Sequence, residues 1–380
     1  MSDRPRDPWL LTPGPLTTSE TVKAAMTRDW GSRDAAFIAI NRRVRERLVQ
    51  LAGGDGTYIC VPLQGSGTFA IEAMIGTLLP RDGKLLVLIN GAYGKRAAKI
   101  CGYMGRAHVD LEWAEDQAVD PRRVEAALKG DAVITHVFVV HCETTSGVLN
   151  PIAEVSQVVA AAGRRLLVDS MSAFGALPLE AREIPFDAVA ASSNKCLEGV
   201  PGVGFVICRR AALEASKGNA HSLSLDLHDQ WAAMEKNAQW RFTPPTQVLA
   251  AFEQALREHE AEGGVAGRGA RYRNNCRILV EGMRALGFET LLPDRLQAPI
   301  IVTFRTPADP RFRFESFYDR LRDKGYAIYP GKLTMADTFR IGCIGRLGEP
   351  EMRGALAAIG ATLDEMGVKS GTPAPLKRTA

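Results

Sequence analysis

The sequence predicts an α/β protein: a large domain built on a mostly parallel sheet, followed by a smaller α+β domain. Three observations predict it. Apolar runs of strand length recur near residues 58, 84, 133, 165, 186 and 203, mostly separated by helix-like segments, the pattern of a parallel sheet covered on both faces. The pair Gly263-Gly264 marks a boundary, after which helical and strand-like segments mix. At 380 residues the chain is also too long for one small core. An arm over residues 1–18, a large domain over 19–262, a small domain over 263–369 and a mobile tail over 370–380 are expected.

Taken in order, Leu10-Leu-Thr-Pro-Gly-Pro15 is a rigid extended turn, because two prolines around a glycine exclude a helix or a sheet interior. Ser19 to Met26 reads as a short helix. Asp29 to Phe37 is irregular and mixes charge with aromatics, which suits a lid, an interface or a solvated loop. From Asn41 to Ala52 the spacing of Val44, Leu48 and Leu51 is helical, and Gly53-Gly54 ends it.

The first strand, Tyr58 to Leu63, passes through Gln64-Gly-Ser-Gly-Thr68 straight into a helix carrying Phe69, Ile71, Met74, Ile75 and Leu78. Strand, glycine turn and helix make an anion cradle: glycines admit close approach to backbone N–H groups, and the helix N-terminus adds partial positive charge. Ser66 and Thr68 add hydroxyls beside Gly67. The turn has neither the G-x-x-x-x-G-K-[ST] nor the G-x-G-x-x-G pattern, which disfavours ATP and dinucleotides.

Lys84 to Ile89 is the next strand. It ends in Asn90-Gly-Ala-Tyr-Gly94, where Tyr93 between glycines has room to lie against a flat ligand or to serve as a core ring. Val133 to Val140 follows and ends in His141-Cys-Glu-Thr-Thr-Ser-Gly147, whose Thr144 and Thr145 suit either neutral hydrogen bonds to a ligand or turn capping.

Arg165 to Val168 stops at Asp169, so a carboxylate sits where a strand leaves the sheet. Phe186 to Ala191 leads into Ser192-Ser-Asn-Lys195, so an amine is offered from another strand end, and a glycine-rich stretch and a further strand, Phe205 to Cys208, follow. The link between these last two strands is too short for a helical crossover, and a hairpin-like pair is expected. Ligands of open α/β sheets bind outside the carboxyl ends of strands. Taken alone, Asp169 suits a helix N-cap and Lys195 a solvated amine. Together at two strand ends they fit pyridoxal phosphate, which needs a lysine for its Schiff base and an acid to hold its pyridine nitrogen protonated.

Beyond Arg209 two prolines precede a helix from about Gln247 to Glu260, with Thr243 placed to cap it or to reach an anion across a subunit interface. A helix from Arg271 to Leu286, a strand from Pro299 to Phe304, a helix from Phe314 to Lys324 and a strand from Phe339 to Cys343 make up the small domain.

Composition narrows the function. Hydrophobic residues are 46% and charged residues 24% of the chain, ordinary for a globular protein. A net charge of +4 without a dense basic run argues against nucleic acid. Seven cysteines without a C-x-x-C pair point to free thiols in a reducing cytoplasm, and six histidines without H-E-x-x-H point to no metal site. Arg4, Arg6 and Asp7 precede the first apolar residues, so a signal peptide is not expected, and no apolar run is long enough for a membrane partner.

With these segments laid out, the chain resembles the class V aminotransferases of fold type I. The resemblance is carried by Leu11-Thr-Pro-Gly-Pro-Leu-Thr-Thr18, Leu63-Gln-Gly-Ser-Gly67, Asn90-Gly-Ala-Tyr-Gly94, His141 with Glu143-Thr-Thr145, Ser193-Asn-Lys-Cys196, Gly199-Val-Pro-Gly202, Tyr329-Pro-Gly-Lys332 and Phe339-Arg-Ile-Gly342, and spans roughly Leu10 to Ile359. It implies a Lys195-bound pyridoxal 5′-phosphate whose pyridinium meets Asp169. It also implies a phosphate held by Ser66, Gly67 and Thr68 with Thr243 of a second subunit, Tyr93 stacked on the ring, and Thr145 and Ser193 around the cofactor. Arg340 would hold the substrate's anion. The resemblance further implies a homodimer with interface active sites and, through its closest branch, amino transfer from 2-aminoethylphosphonate to pyruvate. That phosphonate lies one carbon further from the amino carbon than alanine's carboxylate does, which calls for a second donor, and Arg33 is the candidate. Alanine:glyoxylate and serine:pyruvate transfer share the cofactor residues. A cysteine desulfurase needs a thiol on a mobile loop, where this chain has Cys343 in a strand and Cys276 in a helix. A cofactor-binding sensor without turnover is the non-enzymatic alternative.

Overall fold

The computed structural model describes residues 7–333 and 336–375. At its centre is a seven-stranded sheet of β1 (Tyr58–Gln64), β2 (Lys84–Ile89), β3 (Ala107–Glu112), β4 (Ile134–Val140), β5 (Arg165–Asp169), β6 (Ala188–Ser192) and β7 (Val203–Arg209), in the order β1-β7-β6-β5-β4-β2-β3. β7 runs antiparallel to both neighbours, and every other adjacent pair is parallel. The short link between β6 and β7 thus does produce a hairpin-like pair. β3 was not expected: its sequence Ala-His-Val-Asp-Leu-Glu has no apolar run, because it is an edge strand whose charges face water and guard the open edge.

Side chains alternate between two cores, as the two-residue period of a strand requires. Leu86 and Leu88 of β2, Leu166 and Val168 of β5 and Phe205 and Ile207 of β7 join one core. Leu85, Val87, Leu167 and Val206 join the other. The first core is closed by α1 (Ala35–Leu51), the helix Ile152–Ala161 and the helix Thr246–Ala261; the second is closed by α2 (Gly67–Leu78) and α3 (Ala92–Tyr103). α2 and α3 each follow a strand without a spacer, so their N-termini lie at the edge where the parallel strands end.

After Gly263 a long helix, α4 (Gly264–Ala285), starts directly at the glycine pair, ahead of the expected Arg271. It leads to a three-stranded antiparallel sheet of β8 (Ile301–Arg305), β9 (Tyr329–Pro330) and β10 (Thr338–Gly342), ordered β8-β10-β9. Phe339 of β10 is the hub of its core: its ring centroid lies 5.6 to 6.1 Å from those of Phe288, Phe304, Phe312, Phe314 and Phe317. The helices Leu227–Asn237 and Glu349–Glu365 were not anticipated from the sequence.

The N-terminal arm joins this second sheet region. Trp9 and Leu10 pair in parallel with Tyr326 and Ala327, and the Gly342 N–H donates to the Leu11 carbonyl at 2.9 Å. Of the segment expected to be a mobile tail, residues 376–380 lie outside the described residues. Within 370–375, Gly371 N–H donates to the Leu286 carbonyl and Pro373 bridges Pro307. All seven cysteines are buried free thiols, and no helix among the described residues is long and apolar enough to cross a membrane.

Candidate active site

The carboxyl ends of the parallel strands converge on a cavity of about 200 Å³. Ser66, Gly67 and Thr68 line it at the start of α2, Tyr93 and Arg96 on the first turn of α3, Asp169 at the end of β5, and Ser192, Asn194 and Lys195 after β6. Six residues singled out from the sequence, Ser66, Gly67, Thr68, Tyr93, Asp169 and Lys195, are therefore gathered around one space.

The cradle half of the cavity is built for an anion. Ser66 occupies the N-cap of α2 with extended backbone, yet its side chain makes no capping hydrogen bond. The Phe69 N–H donates to the Ser66 carbonyl at 3.0 Å, while the first two amides of the helix, at Gly67 and Thr68, have no intrahelical acceptor by construction and face the turn region with the hydroxyl. Arg96 donates to the Thr68 hydroxyl at 3.1 Å and adds a full positive charge. It also lies over the Tyr93 ring, 4.9 Å from the centroid, a placement that follows from i,i+3 spacing on α3.

The opposite half carries the titrating pair. Asp169 is buried, and burial pushes its carboxyl up to about 7; the Met171 N–H, donating to Oδ1 at 2.9 Å, opposes the rise, as do Arg96 and Lys195. Burial likewise pulls Lys195 down to about 8, against the pull of the Asp169 carboxylate. Each group waits for a partner that water no longer supplies. The main chain holds them: the His141 N–H donates to the Asp169 carbonyl at 2.8 Å, and the Ser170 N–H to the Ala190 carbonyl of β6. The ammonium of Lys195 donates to the Pro13 carbonyl of the arm.

Glu143, for which the sequence suggested no role, organises the Tyr93 side. It is fully buried, and burial raises its pKa. It accepts hydrogen bonds from the Tyr93 N–H at 3.1 Å and the Thr145 N–H at 3.1 Å, and from the Thr145 hydroxyl at 2.5 Å. Gly91 makes this possible: a Cβ there would fall 2.4 Å from both Cγ and Cδ of Glu143.

Five other predicted residues, Thr145, Ser193, Thr243, Arg33 and Arg340, do not line the cavity. The Thr145 hydroxyl is committed, donating to Glu143 and accepting from the Ala92 N–H at 3.0 Å, so it has no proton left for a cofactor oxygen. The Ser193 hydroxyl donates to the carbonyls of Val200 and Val203 and tightens the loop behind Lys195. Ser192, one residue earlier, lines the cavity instead, and its buried hydroxyl has no hydrogen-bond partner. Thr243 is exposed and lines a neighbouring cavity with Gly65, Phe69 and Phe242. Arg33 lies exposed in the turn ahead of α1.

Arg340 of β10 is buried beside the cavity and its charge is felt at Lys195. Its Nε donates to the Pro330 carbonyl at 3.0 Å and one terminal nitrogen to the Thr144 carbonyl at 2.7 Å, so the guanidinium ties the second sheet to the segment after β4. Beneath Lys195, Glu198 adopts left-handed backbone (φ 55°) and accepts from Arg271 at 2.7 Å and from the Tyr272 hydroxyl at 2.6 Å. Arg271 also donates to the carbonyls of Gly345 and Leu347, and Arg268 to that of Cys196.

An orphaned serine hydroxyl, an open helix N-terminus, a buried carboxyl held high and a buried amine held low suit a planar, phosphate-bearing cofactor with a basic ring nitrogen. The comparisons agree with this donor set. Residues 17–326 match the model of the class-V aminotransferases. The chain is 58% identical to 2-aminoethylphosphonate--pyruvate transaminase 2 of Burkholderia lata over 362 residues, covering 95% of this chain and 96% of that one. It is 56% identical to the 2-aminoethylphosphonate--pyruvate transaminase of Pseudomonas aeruginosa PAO1 over 368 residues, 97% and 99% of the two chains. Among solved structures it is similar to pyridoxamine-pyruvate aminotransferase from Mesorhizobium loti, with a TM-score of 0.87 and 25% identity over 96% of this chain and 95% of that one.

Proposed function

The chain belongs to the class-V aminotransferases, and from that premise we propose that it transfers the amino group of 2-aminoethylphosphonate to pyruvate, giving phosphonoacetaldehyde and L-alanine. The identity of 56–58% over nearly the whole chain to transaminases of that name carries the reading. Pyridoxal 5′-phosphate is the cofactor; when bound, its protonated ring draws electron density from the substrate carbon that loses a proton.

The residues divide the work. Lys195 anchors the cofactor through its amine. With the cofactor bound and the substrate amine in place of its own, Lys195 would be the base that takes the proton from the amino-bearing carbon and hands it on, and its pKa near 8 leaves a useful neutral fraction at physiological pH. Asp169 holds the ring nitrogen's proton, and meeting a cation there relieves the strain of its own buried charge. Ser66, Gly67, Thr68 and Arg96 take the phosphate, and Ser192 adds a hydroxyl. Tyr93 bounds the ring, Thr145 and Ser193 shape the site by fixing Glu143 and the lysine loop, and Arg340 takes the carboxylate of pyruvate or alanine.

The active form is a homodimer in the cytoplasm. Phe69, Leu223 and Phe242 are 49%, 69% and 48% exposed, and Phe69 and Phe242 line the cavity next to the phosphate turn. A second copy covering this face would bring its own Thr243 toward the cradle, and the exposed Arg33 would reach a substrate across the same interface.

The test is a substrate panel on purified holoenzyme. The cofactor's visible absorbance should change on adding 2-aminoethylphosphonate, and pyruvate should restore it with stoichiometric alanine. Turnover of alanine with glyoxylate, or of serine with pyruvate, without turnover of 2-aminoethylphosphonate would refute the reading.

A further inference from the structure

The reaction presents the site with two differently shaped anions, and one guanidinium is already partly spent. Arg340 donates hydrogen bonds to the carbonyls of Pro330 and Thr144, which leaves its remaining terminal N–H groups for one carboxylate. A phosphonate has three acceptor oxygens and, like a phosphate ester, carries a charge of roughly −1.5 to −2 at neutral pH. Geometry and charge both ask for a second cation, set off from the first.

The turn from β9 to β10 supplies one. Tyr329 of β9 pairs with Arg340, and the Arg340 guanidinium lies 5.1 Å from the Tyr329 ring centroid. Two residues past the carbonyl that Arg340 holds, Lys332 projects its ammonium to 5.0 Å from the centroid of Tyr93. Tyr93 and its other cation, Arg96, both line the cavity that contains Lys195. Gly331 lets the turn close this tightly, since a Cβ there would lie 2.1 Å from the Thr338 carbonyl oxygen. Arg96 and Lys332 therefore share the Tyr93 ring, and the charges of both Arg96 and Arg340 are felt at Lys332. The carboxylate whose charge reaches Lys332, Glu143, already accepts from the Tyr93 N–H at the start of α3 and from the Thr145 N–H after β4. Such a cluster of like charges is unfavourable by itself and is relieved by an anion of more than unit charge.

We infer that Lys332 sets the preference for a phosphonate over a carboxylate in the amino donor, taking the phosphonate oxygens that lie beyond the reach of Arg340. The inference rests on the reading of 2-aminoethylphosphonate as donor. Arg96, hydrogen-bonded to Thr68, belongs to the cofactor's phosphate, and Arg340 serves the carboxylate. Lys332 is exposed at the mouth, where a flexible ammonium can follow an anion set one carbon further out.

The experiment compares Lys332→Gln and Lys332→Arg with the wild-type holoenzyme in the two half-reactions separately. For Lys332→Gln the KM for 2-aminoethylphosphonate should rise at least about tenfold, the loss of one charge-assisted contact, while KM for alanine stays within about twofold. Lys332→Arg should recover most of the loss. A second readout is free of turnover: inhibition constants of ethylphosphonate and propionate, the first weakened by Lys332→Gln and the second unchanged. Equal losses for both substrates, no loss for either, or a selective loss in Arg33→Ala with Lys332→Gln unaffected would each overturn the inference. Absence of 2-aminoethylphosphonate turnover in the wild-type enzyme would instead overturn the functional reading. The inhibition assay still judges Lys332 there, since wild-type enzyme that binds ethylphosphonate no better than propionate refutes its role directly.

Discussion

The ammonium of Lys195 hydrogen-bonds the carbonyl of Pro13, so the amine at the centre of the large sheet is covered by a turn of the N-terminal arm. Residues Leu11 to Gly14 are wedged between that amine and β10, whose Gly342 N–H donates to the Leu11 carbonyl. Burial, to which this packing adds, is the main reason the lysine is pulled down to about 8.

Deleting residues 1–14 should therefore return Lys195 toward its ordinary value of 10.5 by admitting water. Reconstitution of apoenzyme with pyridoxal phosphate needs the neutral amine, so its rate should rise with pH through about 8 in the full chain and only at higher pH in the truncated one. Following cofactor absorbance from pH 7 to 10 measures both midpoints, with circular dichroism as the check on folding.

Asp169 trades stability for function. Its carboxyl titrates near 7 when folded against 3.8 when unconstrained, so between those values the folded protein binds more protons than the unfolded chain. Stability of the apoenzyme should fall as pH rises across that window and level off above it. Asp169→Asn removes the buried charge, and its apoenzyme should be more stable than the parent at pH 8 by on the order of 1–4 kcal/mol, with little difference at pH 4. Activity should drop at least about a hundredfold. Urea unfolding at the two pH values and a transamination assay check the two halves.

Gly91→Ala should displace Glu143 from beneath α3, because the new methyl would overlap a carboxylate held by three hydrogen bonds. The backbone φ of 172° is open to any residue, so the effect is purely one of space. We expect a loss of about 2–3 kcal/mol in denaturant unfolding and a weaker hold on Tyr93, read as a raised KM for both amino donors.

Glu198→Gln tests the ionic cluster under the lysine loop. Neutralising Glu198 leaves Arg268 and Arg271, both largely buried, sharing Glu262 alone. A cost of about 3–5 kcal/mol is expected, the range for breaking a buried pair by removing one partner. Thermal and chemical denaturation of the holoenzyme would measure it.

The apolar face at Phe69, Leu223 and Phe242 predicts an assembly of twice the 41.2 kDa chain mass by light scattering. Phe242→Asp should shift the protein toward monomer and cut activity with it, since the cradle then lacks the partner's threonine. A fully active monomer would refute the proposed interface.

Much of this was legible in the residues. Apolar runs gave six strands of the large sheet, and the edge strand β3 escaped because it is largely exposed and interrupts its apolar residues with His, Asp and Glu. Ser66, Gly67, Thr68, Tyr93, Asp169 and Lys195 could be placed together because strand ends of a parallel sheet share one edge. Ser192, Arg96 and Glu143 could not: their roles depend on which hydroxyl is left without a partner and on which carboxylate lies under a glycine, facts of packing across distant segments. Arg96 did leave a trace in its spacing from Tyr93. Thr145 and Ser193 read as ligands of the cofactor from the sequence; in the structure the Thr145 hydroxyl bonds the Glu143 carboxylate and the Ala92 N–H, and the Ser193 hydroxyl bonds the carbonyls of Val200 and Val203.

The arm has one further consequence, for the order in which the molecule can be completed. Its partners Tyr326, Ala327 and Gly342 leave the ribosome long after Lys195 does, so a growing chain carries a naked amine until its last strand arrives. Only when both ends of the polypeptide meet does that nitrogen acquire its lid.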